Sequence, residues 1–153
     1  MAQFKIGNMF DAPPPDLLCF TANATIKANG ALVMGKGAAE EARDRFPGID
    51  LKLGEIIKNY QISPPRKYGL LVILWPGLSV PIGIFQVKYH WKDIARLDLI
   101  RYSTVQLFKH IIYSSPQSIY LNFPGIGNGQ LAEADVLPII SLLPDNVTIW
   151  RLP

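Results

Sequence analysis

Cysteine is all but missing: the 153-residue chain carries one, Cys19, so no internal disulfide can form. Its flank of Leu17, Leu18 and Phe20 makes it a small apolar residue in a strand core before it is a nucleophile or ligand. Histidine is almost as scarce. His90 and His110 stand far apart, and with the thiol buried no cluster of metal-ligand spacing exists, so neither a metal nor a cofactor is expected. No apolar run approaches the ~18 residues that a bilayer span needs, and Met1 to Lys5 does not open an apolar leader. The expectation is a cytoplasmic protein without a membrane partner.

Charge of one sign is not concentrated anywhere. The net charge is +3, and Lys and Arg are scattered among Asp and Glu, so there is no polybasic arm. Proteins that hold duplex by its backbone often neutralise about 6 to 10 phosphates, which this dispersed excess does not demand. A compact anion with few phosphates fits better. No Gly-x-Ser-x-Gly elbow is present, and the glycine-rich loops hold no pair of carboxylates, which removes support for acid and base work by two acids.

What remains is an ordinary globular supply, 49% hydrophobic and 18% charged. A chain of this length suits one domain, residues 1–153, that buries roughly 68 to 70% of its unfolded surface. Its most distinctive stretch is Asn23 to Phe46. The apolar run Leu17 to Phe20 reads as a buried strand; a polar, glycine-rich loop follows; then Ala38, Ala42 and Phe46 recur at helical spacing. Gly35 and Gly37 fall where that helix begins, where free N–H groups and the dipole favour an anion.

The same logic recurs downstream. Ser118 to Phe123 reads as a strand, Pro124 to Gly129 as a tight loop and Glu133 to Leu143 as a helix. Two cradles of this kind predict a diphosphate held between them. The nearest regular motif, Gly30-x-x-x-x-Gly35-Lys36, is followed by Gly37 and not by the Ser or Thr that reaches magnesium in an NTPase loop. The phosphate cradle therefore survives without the nucleotide-hydrolysing reading.

Elsewhere, Phe4 to Gly7 is a first strand with Phe4 and Ile6 on one face, and Asn8 to Pro15 a proline-stiffened loop. Pro47-Gly48 stops the first helix, and Leu51, Glu55, Ile56 and Tyr60 suggest a second, although Gly54 weakens it. Leu70 to Trp75 and Val80 to Val87 are β-rich runs around Pro76-Gly77, a hairpin or tight corner. Asp93 to Tyr113 is the longest helix, with Ile94, Leu97, Ile100, Thr104, Phe108 and Ile111 as its stripe, and Val147 to Leu152 the last strand. Strands alternating with helices, plus one adjacent pair, imply an α/β sandwich with a mixed sheet. Ligands of such sheets sit at the carboxyl ends of the strands, where Asn23, Lys27, Asn29, Lys88 and His90 also fall. Lys88 follows an apolar strand and is aimed at that crevice.

These residues together resemble the macro domains, in the bacterial and phage branch near the DNA ADP-ribosyl glycohydrolase antitoxins. The likeness rests on Thr21-Ala22-Asn23, Lys27-Ala28-Asn29-Gly30, Val33-Met34-Gly35-Lys36-Gly37-Ala38-Ala39 and Arg45-Phe46-Pro47-Gly48. It continues through Phe85-Gln86-Val87-Lys88-Tyr89-His90-Trp91 and Phe123-Pro124-Gly125-Ile126-Gly127-Asn128-Gly129. It implies a three-layer α/β/α sandwich that binds ADP-ribose, free or on an ADP-ribosylated substrate, with a modified nucleic acid or a protein as partner.

By that resemblance the diphosphate lies between the Val33, Met34, Gly35, Lys36, Gly37 and Ala38 loop and the Gly125, Ile126, Gly127, Asn128 and Gly129 loop. Asn23 and Asn29 lie near the distal ribose, and Lys88 is the nucleophile of a hydrolase. Asn8 stands where many macro domains carry an Asp that accepts from adenine, and Gln130-Leu131-Ala132 where related chains carry Gly-Leu-Asp. A reader module without catalysis, or a hydrolase of ADP-ribose 1″-phosphate or O-acetyl-ADP-ribose, are the alternatives.

Overall fold

The computed structural model describes residues 1–153. Its six strands are β1 (Gln3–Ile6), β2 (Leu17–Ala22), β3 (Leu70–Ile73), β4 (Ile82–Gln86), β5 (Ile119–Asn122) and β6 (Val147–Arg151). Four helices accompany them: α1 (Gly37–Arg45), α2 (Ile49–Tyr60), α3 (Leu97–Ser114) and α4 (Glu133–Ile140). The sheet order is β1-β6-β5-β2-β4-β3. Every neighbouring pair is parallel except β3 with β4, whose antiparallel register sets Leu70 opposite Phe85 and Ile73 opposite Ile82. This is the mixed sheet that the strand pattern implies.

Strand β2 explains the layering. It lies between β5 and β4, and its side chains alternate between two separate cores. Leu17 and Cys19 join Ile100, Leu107 and Ile111 of α3 and Val136 and Ile140 of α4. Leu18, Phe20 and Ala22 join Ala39 and Ala42 of α1 and Leu53 and Ile57 of α2. A central parallel strand covered on both faces must be apolar throughout, which is why this run does not alternate with polar residues. Each fully buried Leu, Ile or Phe contributes about 1.5 to 3 kcal/mol to the sandwich.

Two expectations shift, the start of the long helix and its buried stripe. The long helix starts at Leu97 and not at Asp93, because the preceding residues are used elsewhere: Ala95 N–H bonds Gly129 O and Arg96 N–H bonds Val87 O, both at 2.9 Å. Its buried stripe is Leu99, Ile100, Ser103, Thr104, Leu107 and Ile111, while Ile94 and Phe108 are exposed. The face shared by Phe4 and Ile6 is also exposed, since β1 is an edge strand; Phe4 only leans on Phe123, ring centroids 6.3 Å apart.

Gly54 sits inside α2 for a steric reason. A Cβ there would stand 1.8 Å from Gly30 O, so only a residue without one lets α2 lie against the loop that carries Leu32 and Val33. Leu32 N–H bonds Asp50 O at 2.9 Å across the same contact. The helix thereby sets the height of the first glycine loop. No helix is long and apolar enough to cross a membrane.

Candidate functional site

Because β2, β4 and β5 run parallel, they end on one side of the sheet, at Ala22, Gln86 and Asn122. A crevice of about 990 Å³ opens there, walled by Val33 to Ala39 on one side and Gly125 to Gln130 on the other. The two loops meet. A Cβ on Gly37, where φ is +64°, would lie 3.2 Å from Asn128 Nδ2. Lys36 caps α1 without a side-chain hydrogen bond, so the first-turn N–H groups, which no helix satisfies internally, remain for a guest.

The guest that this lining selects is an anion. Lys27, Lys36, Lys88 and Lys92 border the crevice, and no carboxylate does. Lys88, just beyond β4, donates from Nζ to Trp91 O and to Asp93 O, both at 3.1 Å. Burial pushes its amine below the usual lysine range and the nearby Lys36 adds to the shift, against an opposing pull from Asp93. A lysine whose ammonium is disfavoured by burial in a cleft is a candidate for chemistry.

Asn23 is held on three sides. Its Nδ2 donates to Val33 O at 3.0 Å, its Oδ1 accepts from Thr25 N–H at 2.9 Å, and its carbonyl accepts from Tyr68 Oη at 2.7 Å. One side-chain N–H is left over for a ligand hydroxyl, since the amide carries two. Val33 is thus tied to the end of β2, and the first loop inherits the rigidity of the sheet.

Gln86, at the end of β4, was not singled out in the sequence. It is fully buried; its Oε1 accepts from the N–H groups of Tyr68 and Gly69 at 2.8 and 2.9 Å, and its Nε2 donates to Arg66 O at 2.8 Å. A longer contact, 3.4 Å, runs from Nε2 to Lys88 O, and Ser103 Oγ donates to the Gln86 carbonyl at 2.7 Å. The amide therefore anchors the backbone from which Lys88 departs. One signal existed: an amide closing the otherwise apolar run Ile82 to Val87.

Of the other expected residues, Val33 to Ala38 and Gly125 to Gly129 all border the crevice, with Met34 buried in the core. Asn8 lies in an adjoining lobe of about 680 Å³ that shares Gly37, Ala38 and Asn128 with the crevice. There its Nδ2 donates to both Glu41 carboxylate oxygens at 2.9 Å, and its Oδ1 accepts from Phe10 N–H at 3.0 Å. Asn29 borders neither space; it is exposed, and its Oδ1 accepts from Ala31 N–H within a turn. His90 is likewise outside, its ring stacked on Trp91 with centroids 6.0 Å apart. Trp91 and Gln130, both named with the resemblance, border the crevice, as does Lys92, which the sequence did not mark.

The fold that carries these two loops is shared with solved structures. No family model and no curated protein matches the chain. It is similar over 100% of its length to the macrodomain of Thermus aquaticus DarG, with 26% identity, a TM-score of 0.77 and 98% of that chain covered. The chain has the macro domain fold. It is also similar to the macrodomain of Mycobacterium tuberculosis DarG, at 23% identity and a TM-score of 0.79, over 99% of this chain and 97% of that one. A third solved structure, Thermosipho africanus DarTG in complex with ADP-ribose, aligns with 99% of this chain and 42% of its own at 18% identity and a TM-score of 0.76.

Proposed function

We propose that this macro domain binds ADP-ribose, its diphosphate between the Val33 to Ala38 and Gly125 to Gln130 loops, and releases ADP-ribose from a modified nucleic acid or protein. The observation that carries the reading is Lys88: an amine displaced toward its neutral form, bordering the same crevice as both loops. Four lysines and no carboxylate on the lining suit a dianionic diphosphate, and the similar Thermosipho africanus DarTG is solved with ADP-ribose.

In this mechanism the neutral Lys88 amine attacks the anomeric carbon of the distal ribose. The Nζ–C1″ bond forms as the bond to the leaving group breaks, and the departing atom takes up the proton that Nζ loses. Water then adds at C1″ and displaces Nζ, which gives free ADP-ribose and restores the amine. Asn23 directs its spare N–H to a hydroxyl of that ribose, while Asn8 borders the base.

The test is Lys88→Ala, assayed for ADP-ribose release from modified thymidine, guanosine and acidic side chains. The expected result is release by the unaltered protein from at least one of these and a loss of about a hundredfold or more in the variant. Undiminished release refutes the role of Lys88. A second reading, a reader without turnover, is favoured by the absence of a carboxylate on the lining to activate water. Calorimetry showing tight ADP-ribose binding beside no product on any substrate selects it.

A further inference from the structure

Thr25 is half-buried and lies beyond β2, between the two parts of the site that chemistry at Lys88 has to coordinate. Its backbone serves the phosphate side: Thr25 N–H donates to Asn23 Oδ1 at 2.9 Å, and Thr25 O accepts from Val33 N–H at 2.9 Å. Its side chain serves the lysine side. Trp91 N–H donates to Thr25 Oγ1 at 3.0 Å, and the carbonyl of that same Trp91 is one of the two that hold Lys88 Nζ. The neighbouring Ala24 N–H donates to Tyr89 O at 3.0 Å, which fastens the same loop one step earlier.

We propose that Thr25 is a positioning residue for Lys88, its hydroxyl fixing Trp91 and its peptide fixing Asn23 and Val33, so that amine and diphosphate loop are referred to one point. This rests on the Lys88 reading above. The argument is one of tolerance. The loop from Lys88 to Asp93 curls around the ammonium, with Lys92 N–H on His90 Nδ1 at 3.2 Å and Asp93 N–H on His90 O at 3.0 Å. Those bonds are internal to the loop; the Thr25 hydroxyl is the side-chain contact that joins it to the wall holding Asn23. Without that contact the loop keeps its shape and its Ala24–Tyr89 backbone anchor, but Trp91 and the carbonyl it offers Lys88 lose their fixed place, and a misplacement of about 1 Å is enough to cost a reaction up to a hundredfold.

The decisive substitution is Thr25→Val, which keeps shape and removes the hydroxyl, with Thr25→Ser as the variant that restores it and Thr25→Ala as a second deletion should valine not fold. Three quantities are measured: ADP-ribose affinity by calorimetry, the single-turnover release rate, and Lys88 labelling by ADP-ribose in cyanoborohydride. In the last, the amine condenses with the ring-opened aldehyde of free ADP-ribose, losing water, and the imine is reduced by hydride to a stable adduct located by mass. It reads the placement of Nζ whether or not the protein turns substrate over.

The expected result for Thr25→Val is affinity within about twofold, release and labelling each about tenfold slower, and recovery of both in Thr25→Ser. Labelling and release equal to the unaltered protein overturn the role of Thr25 alone. Equal losses of affinity and rate overturn it as well, since the residue then supports the fold and not the placement. Failure of the unaltered protein both to release and to form the adduct overturns the Lys88 reading and this inference together.

Discussion

Replacing Gly54 by Ala sets two effects against each other, and the structure decides the sign. Helix propensity favours alanine by about 0.8 to 1.0 kcal/mol in a helix interior, so α2 taken alone is stabilised. Against that, the added methyl would meet Gly30 O at 1.8 Å and Leu32 N at 2.9 Å. Both are backbone atoms, which cannot rotate away as a side-chain tip does. Overpacking of this kind costs typically about 1 to 3 kcal/mol, occasionally more.

The upper part of that range applies, because the clash is with a segment held by the Leu32–Asp50 backbone bond and by the Asn23–Val33 contact. The net expectation is a destabilisation of about 1 to 2 kcal/mol, or a Tm lower by roughly 2 to 8 °C for a domain of this size. The same displacement moves Val33, so ADP-ribose affinity falls with stability. Thermal unfolding followed by circular dichroism, with calorimetry on the folded variant, reads both. A Tm equal to or above that of the unaltered protein refutes the claim that α2 sets the position of the loop.

The pH dependence of release gives a further prediction. The lowered pKa of Lys88 means that its reactive neutral form grows as pH rises through a midpoint below the ordinary lysine value, and Lys36→Met, by removing the nearby like charge, moves that midpoint upward. A single-turnover pH profile checks it, and an unmoved midpoint separates the two lysines. Burial pushes the Cys19 thiol up to about 12, so it resists alkylation at pH 8 in the native protein and reacts at a normal rate in denaturant. Because the folded state then keeps a proton that the unfolded chain releases, stability declines as pH rises through the unfolded thiol's range toward about 12. Buried Tyr68, also shifted upward, adds to the loss at higher pH. Urea melts between neutral and alkaline pH measure this, and a flat profile refutes it.

Much of the architecture was legible along the chain because its signals are local. The apolar run at Leu17 to Phe20, the glycine loop before α1 and the strand pair around Pro76-Gly77 each depend on residues a few positions apart, and each becomes the element expected. The helix from Asp93 was misjudged at its start for the opposite reason. Ile94 continues the apolar period, but the backbone of Ala95 and Arg96 is claimed by Gly129 and Val87, and periodicity carries no information about such distant partners.

By itself, then, the order of residues determined the alternation of strands and helices, the two glycine-rich turns and the presence of a lysine just beyond β4. Only the tertiary structure decided the strand order β1-β6-β5-β2-β4-β3, the approach of Gly37 to Asn128 and the gathering of Asn23, Val33 and Lys88 around one crevice, with Asn29 left outside. The physical reason is range. Propensity and periodicity act over a few residues, whereas the bonds that assemble this site, Tyr68 Oη to Asn23 O at a separation of 45 positions and Trp91 N–H to Thr25 Oγ1 at 66, exist only after the sheet has brought their partners together.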